Sequence, residues 1–150
     1  MNIAIMTDIH GNHIALEACI GEARKLGAEE FLFLGDYLDE RHIRWFEQMP
    51  ISKIVNYPGL SAFVICHGSP WKVNESMRED YSYIDNLTRK LETELTICGH
   101  FHIQNKYICN GHTVINPGSV GVPLRSGGKT QFMMLSGVNG KWEEEFVTLP

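Results

Sequence analysis

NIAIMTDIHGN, residues 2–12, is a short apolar run that ends in a polar loop, and Asn12 then opens a helical pattern with Leu16, Cys19, Ile20, Ala23 and Leu26 on one face. Gly27 stands where such a helix would be capped, and FLFL at 31–34 is a second continuous apolar run, as in strands covered on both faces. Strand, helix, strand is a βαβ unit, so the class is α/β. Such a unit places the loops after Met6 and Leu34 side by side at the carboxyl ends of parallel strands. Asp8, His10 and Asp36 lie in those two loops.

Outward from this unit the chain alternates apolar runs with turn signals. Asp39 is a plausible cap for a short helix with Ile43, Phe46 and Met49 on its apolar side, ending before Pro50. ISKIVN (51–56) and SAFVIC (61–66) flank Tyr57-Pro58-Gly59-Leu60 and predict a hairpin. Its second strand delivers His67-Gly68-Ser69-Pro70. Tyr81, Ile84, Leu87 and Leu91 mark an amphipathic helix, after which LTIC (95–98) enters Gly99-His100-Phe101-His102. The spacing then predicts two antiparallel hairpins. QNKYIC and HTVIN flank Asn110-Gly111, and KTQFMML and KWEEEFVTL flank the Gly137–Gly140 turn, with NPGSVG (116–121) between the two pairs.

At 150 residues with 43% hydrophobic and 21% charged side chains, the chain suits one globular domain, 1–150. A net charge of -5 argues against a broad basic surface, so no stable nucleic-acid complex is expected. No window approaches a membrane span and the start lacks a targeting pattern, which predicts a cytoplasmic protein with no membrane partner. Cys19, Cys66, Cys98 and Cys109 show no C-x-x-C spacing and read as free thiols in a reducing compartment.

The junctions between runs and loops gather ligand-type side chains: Asp8, Asp36, His10, His67, His100 and His102. A mixed carboxylate and imidazole set suits Mn²⁺, Fe or Zn²⁺ better than Ca²⁺, which takes oxygen almost exclusively. In Asp8-x-His10 and His100-x-His102 an extended backbone would send alternate side chains to one side. One histidine or one Gly-Asp pair is commonly a loop residue, but four separate junctions each presenting such a side chain form a metal-site pattern.

Taken in order, Asp8-Ile9-His10-Gly11-Asn12, Gly35-Asp36, His67-Gly68-Ser69-Pro70, Gly99-His100-Phe101-His102 and Asn116-Pro117-Gly118-Ser119-Val120-Gly121 resemble the calcineurin-like metallophosphoesterases, in their small single-domain bacterial or archaeal branch. The resemblance implies a four-layer α/β/β/α sandwich with mixed sheets. It implies two divalent transition-metal ions, manganese first and otherwise iron, zinc or nickel, with Asp8, His10 and His102 on one, His67 and His100 on the other and Asp36 bridging. It also implies a small phosphoester substrate, monoester or diester, hydrolysed by a water activated between the ions, with Asn12 near the substrate.

The resemblance breaks at one place. Between the Gly-Asp and His-Gly motifs the family carries a strand ending in Gly-Asn-His-Asp, whose asparagine completes the second metal site and whose histidine protonates the leaving oxygen. That string is absent, as though a βα segment had been removed between Leu38 and Arg41. The general acid is therefore unassigned, and His13, His42 and His112 are poor replacements. Two other readings follow: a non-catalytic metal-binding scaffold, as a retromer subunit resembling the family is, and a shortened enzyme that self-associates through an uncovered strand edge.

Overall fold

The computed structural model describes residues 1–37 and 49–150. Two mixed sheets are built from β1 (Asn2–Met6), β2 (Glu30–Phe33), β3 (Ser52–Val55), β4 (Phe63–Cys66), β5 (Leu95–Cys98), β6 (Asn105–Cys109), β7 (His112–Asn116), β8 (Gln131–Val138) and β9 (Lys141–Thr148). The first has the order β2-β1-β8-β9 and the second β3-β4-β5-β7-β6. The βαβ unit forms as expected: β1 and β2 run parallel, Ile3 opposite Glu30 through Met6 opposite Phe33, joined by α1 (His13–Lys25).

Strand alternation places one face of each sheet against the other. Ile3, Ile5, Met133 and Leu135 of the first sheet meet Phe63, Leu95, Ile97 and Ile115 of the second in one buried cluster. The opposite face of the first sheet, with Ala4, Met6, Phe132 and Met134, packs on Cys19 and Ala23 of α1. The opposite face of the second, with Cys66, Cys98, Tyr107 and Val114, packs on Met77 and on Ile84 and Leu87 of α2 (Ile84–Thr88). Helix, sheet, sheet, helix is the four-layer arrangement expected from the sequence. Each sheet has an apolar inner face because both of its faces are covered.

Three local expectations change. The apolar periodicity at 81–91 yields a helix of only 5 residues, because Tyr83 caps it with no side-chain bond and the chain turns again at Arg89–Leu91. Leu26 ends α1 40% exposed, with Cys19 and Ala23 forming its buried stripe. The last turn is also tighter than Gly137–Gly140. Gly137 is paired within β8 opposite Trp142, where a β-carbon would stand 2.5 Å from Leu60 Cδ1, and only Asn139 and Gly140 turn, at φ 50° and 77°. The expected helix after Asp39 falls on residues 38–48, outside those described.

This topology delivers the site. Parallel β1 and β2 release their loops side by side in one sheet, and parallel β4 and β5 do so in the other.

Candidate metal centre

The loops after β1 and β2 are stitched together by backbone bonds from Asp8 N–H to Gly35 O (3.2 Å), His10 N–H to Asp36 O (2.7 Å) and Gly11 N–H to Tyr37 O (3.1 Å). The loop after β5 joins that after β4 through Gly99 N–H to His67 O at 2.7 Å. The 116–121 loop closes the set. Asn116 Nδ2 donates to Gly99 O at 2.7 Å, while Ser119 Oγ and Gly121 N–H both donate to Asp8 O at 2.9 Å. Neither Ser69 nor Ser119 is placed as a nucleophile, since both are buried and their hydroxyls are already engaged, Ser69 Oγ with Glu75 Oε2 at 2.6 Å and Ser119 Oγ with Asp8 O.

All six ligand-type side chains converge. Ligand atoms of Asp8, His10, Asp36 and His102 lie within 4.8 Å of one another. His10 Nε2 and His102 Nε2 are 3.2 Å apart, and His102 Nε2 is 3.2 Å from Asp8 Oδ1. On the other side, His67 Nε2 is 3.4 Å from Asp36 Oδ2, and the His67 and His100 rings meet edge to face at 5.1 Å. Asp36 Oδ2 is also 3.4 Å from His10 Nε2, so one carboxylate oxygen stands between the two groups of imidazoles.

The backbone that achieves this is not the extended one expected from the D-x-H and H-x-H spacing. Asp8, His10, Asp36, His100 and His102 have φ of 54°, 48°, 47°, 74° and 58°, five of the eight non-glycine residues at positive φ among those described. Each such residue costs roughly 1–2 kcal/mol in this conformation. Strain gathered on one set of side chains is the pattern of a site whose geometry the surrounding fold imposes.

The residues fit divalent ions. His102 Nδ1 lies 2.8 Å from Val122 O, and a carbonyl can only accept, so in the neutral ring Nδ1 carries the proton and Nε2 is left with the lone pair, 3.2 Å from His10 Nε2. His67 Nδ1 is buried with no hydrogen-bond partner among the described residues. Two facing imidazole nitrogens and an orphaned third are poor company for one another and good ligands for a cation. The Asp8 carboxylate accepts a hydrogen bond from protonated His102 and so raises the His102 pKa, burial beside His67 lowers that of His100, and the His67 contact holds Asp36 below the usual carboxylate range.

The two halves differ. The four-residue group of the first half excludes His67 and His100, so the second half has only Asp36 and two imidazoles among the described residues. Asn12 is exposed and caps α1, its Oδ1 accepting from Ala15 N–H at 3.1 Å. His13 is exposed at the start of α1, and His112 is buried against Thr96 Oγ1 at 2.9 Å, so neither joins the cluster; His42 lies outside the described residues. An apolar groove of about 480 Å³, lined by Phe33, Gly35, Ile51, Ile65 and Val73 among others, runs from β2 to His67. Thr7, Asn116 and Ser119 hold Asp8 and Gly99 in place; Thr7 carries no ligand-type signal in the sequence, and Asn116 and Ser119 stand there only as part of the NPGSVG loop.

Two family models match the chain. The calcineurin-like phosphoesterase superfamily domain covers residues 38–140 and a calcineurin-like phosphoesterase model covers residues 1–68. No curated protein matches. Among solved structures, a metallophosphoesterase from Sphaerobacter thermophilus aligns over 100% of this chain and 89% of its own at 18% identity, with a TM-score of 0.80. A novel archaeal phosphodiesterase aligns over 98% and 100% at 17% identity and a TM-score of 0.66. Vps29 from Entamoeba histolytica, complexed with zinc, aligns over 99% and 99% at 17% identity and a TM-score of 0.55. At these identities the likeness is one of fold.

Proposed function

Because this chain belongs to the calcineurin-like phosphoesterase superfamily, we propose that it is a metal-dependent phosphoesterase in which Asp8, His10, Asp36 and His102 hold one divalent ion and Asp36, His67 and His100 a second. The observation that carries the reading is the position of Asp36, whose Oδ2 is 3.4 Å from an imidazole nitrogen on either side. A carboxylate so placed would be within reach of an ion held on either side. A pair of divalent ions held there, manganese first, would supply the Lewis acidity for attack of water on a phosphoryl group.

The chain's own part is to position and to exclude. Asp8, fully buried, is held rigid by His100 N–H at 3.1 and 3.2 Å from its two oxygens. Val122 O fixes the tautomer of His102. The Asn12 amide, at the mouth of the β1 loop, is the candidate contact for a substrate oxygen. A proton donor for the leaving oxygen is not identified among the described residues. A positioned histidine acid typically contributes about 10²–10⁴ in rate, so the absence of Gly-Asn-His-Asp makes this a slow enzyme rather than an inert one.

The same absence favours a second reading, a metal-binding interaction protein without turnover, and the fold is shared with Vps29, a protein solved with zinc. The two readings separate in one assay. Mn²⁺-supplemented hydrolysis of a chromogenic phosphodiester and a chromogenic phosphomonoester, run beside Asp36→Ala, should show turnover that depends on both Mn²⁺ and Asp36. Metal uptake with no turnover on either substrate would support the scaffold instead.

A further inference from the structure

We propose that Thr7 is a positioning residue for this centre: its hydroxyl holds one oxygen of Asp8 so that only the other faces the ion. The inference rests on the reading of Asp8 as a ligand. Thr7 is 1% exposed and Asp8 0%. The Thr7 hydroxyl donates to Asp8 Oδ2 at 2.9 Å, and His100 N–H is shared between Oδ2 at 3.1 Å and Oδ1 at 3.2 Å. Oδ1 is the oxygen that looks toward the imidazoles, 3.2 Å from His102 Nε2 and 3.8 Å from His67 Nδ1. The carboxylate has a held side and a ligand side.

Two features keep Thr7 in place. Its carbonyl accepts from Val120 N–H at 3.0 Å, which ties it to the 116–121 loop. Gly99 lies directly against it: a β-carbon there would overlap Thr7 Oγ1 and come within 2.7 Å of Asp8 Oδ2. The space left by a missing side chain at Gly99 is the space that the Thr7 hydroxyl and the Asp8 carboxylate share. Without the hydroxyl, Oδ2 keeps only a shared N–H, and the Asp8 carboxylate turns about a torsion with a broad, shallow profile. A ligand that must be ordered at each binding event binds more weakly, and lost outer-shell hydrogen bonds of this kind cost about 10–100-fold in metal affinity.

Thr7→Val keeps the volume and removes the hydroxyl, whereas Thr7→Ser keeps the hydroxyl. Metal-free protein is titrated with Mn²⁺ alone by calorimetry, and folding is followed by far-ultraviolet circular dichroism. The tighter ion should bind Thr7→Ser within about threefold of wild type and Thr7→Val about 10-fold or more weakly. Equal affinity in Thr7→Val and wild type, or equal loss in Thr7→Ser and Thr7→Val, overturns the inference and leaves the metal reading intact. Failure of wild type itself to take up Mn²⁺ overturns the metal reading, and the inference with it. Should Thr7→Val fail to fold, Thr7→Ala against Thr7→Ser carries the same contrast.

Discussion

Gly35 sits between β2 and Asp36 with φ of 125°, and an added β-carbon would stand 2.9 Å from His67 Nδ1 and 3.0 Å from His67 Cβ and Cγ. Gly35→Ala therefore meets two costs. A side chain at that φ is strained by about 1–3 kcal/mol. Forcing extra volume against a half-enclosed ring adds about 1–3 kcal/mol. The sum, about 2–6 kcal/mol, is a large share of the 5–15 kcal/mol that ordinarily separates folded from unfolded chains. With a urea dependence of about 1–3 kcal/mol per molar, the denaturation midpoint should fall by on the order of 1–2 M. Gly111→Ala is the control. It has φ of 76° and nothing within 4 Å of the new β-carbon, so it meets only the conformational cost, about 1–2 kcal/mol. The displaced His67 ring should also weaken the second ion while sparing the first. A Gly35→Ala midpoint within about 0.3 M of that of Gly111→Ala would refute the steric part of the argument.

Asp36→Ala should take Mn²⁺ content from about one to two ions per chain toward zero, while His67→Ala should leave about one, since the carboxylate would serve both ions and the imidazole only one; equal loss in the two variants, read by elemental analysis, contradicts this. The pH dependence follows from His102, whose pKa is raised by its bond to Asp8. In metal-free protein that raised value adds stability below the ordinary histidine pKa, and the stability is lost as pH rises through the folded-state value. Asp36 is depressed, so its contribution is present above the ordinary carboxylate range and is lost as pH falls through its lowered value. Mn²⁺ needs the neutral imidazole and should bind more tightly as pH is raised from about 6 to 8; calorimetric titrations giving a flat profile would contradict the role of His102.

The candidate site was legible in the sequence because its side chains are chemically distinctive residues placed where apolar runs end. Asp8, His10, Asp36, His67, His100 and His102 could be named from that pattern alone, and the structure draws all six together. The βαβ unit and the hairpin at Asn110-Gly111 were legible for the same reason, since each is decided by neighbours in the chain. What was hidden depends on distant partners. The pairing of β1 with β8 joins residues more than a hundred positions apart, and no local signal announces it. Left-handed backbone at Asp8 and His10 replaces the extended geometry that spacing suggested, because Gly121 N–H and Ser119 Oγ pull on the Asp8 carbonyl from the far end of the chain. Thr7 and Asn116 act through ordinary polar groups whose meaning appears only once Asp8 and Gly99 lie beside them. Along 81–91 the apolar spacing was correct for burial and misleading for helix length, since Ile84 and Leu87 are buried from a helix of only 5 residues.

The account turns on whether these six side chains hold divalent ions, and the metal content of the purified chain after Mn²⁺ loading and removal of free ion tests it most directly. The expected result is about one to two Mn²⁺ per chain, the first retained more tightly because Asp8, His10, Asp36 and His102 already lie within 4.8 Å of one another. Less than about a tenth of an ion per chain, the level of non-specific carry-over, would contradict it.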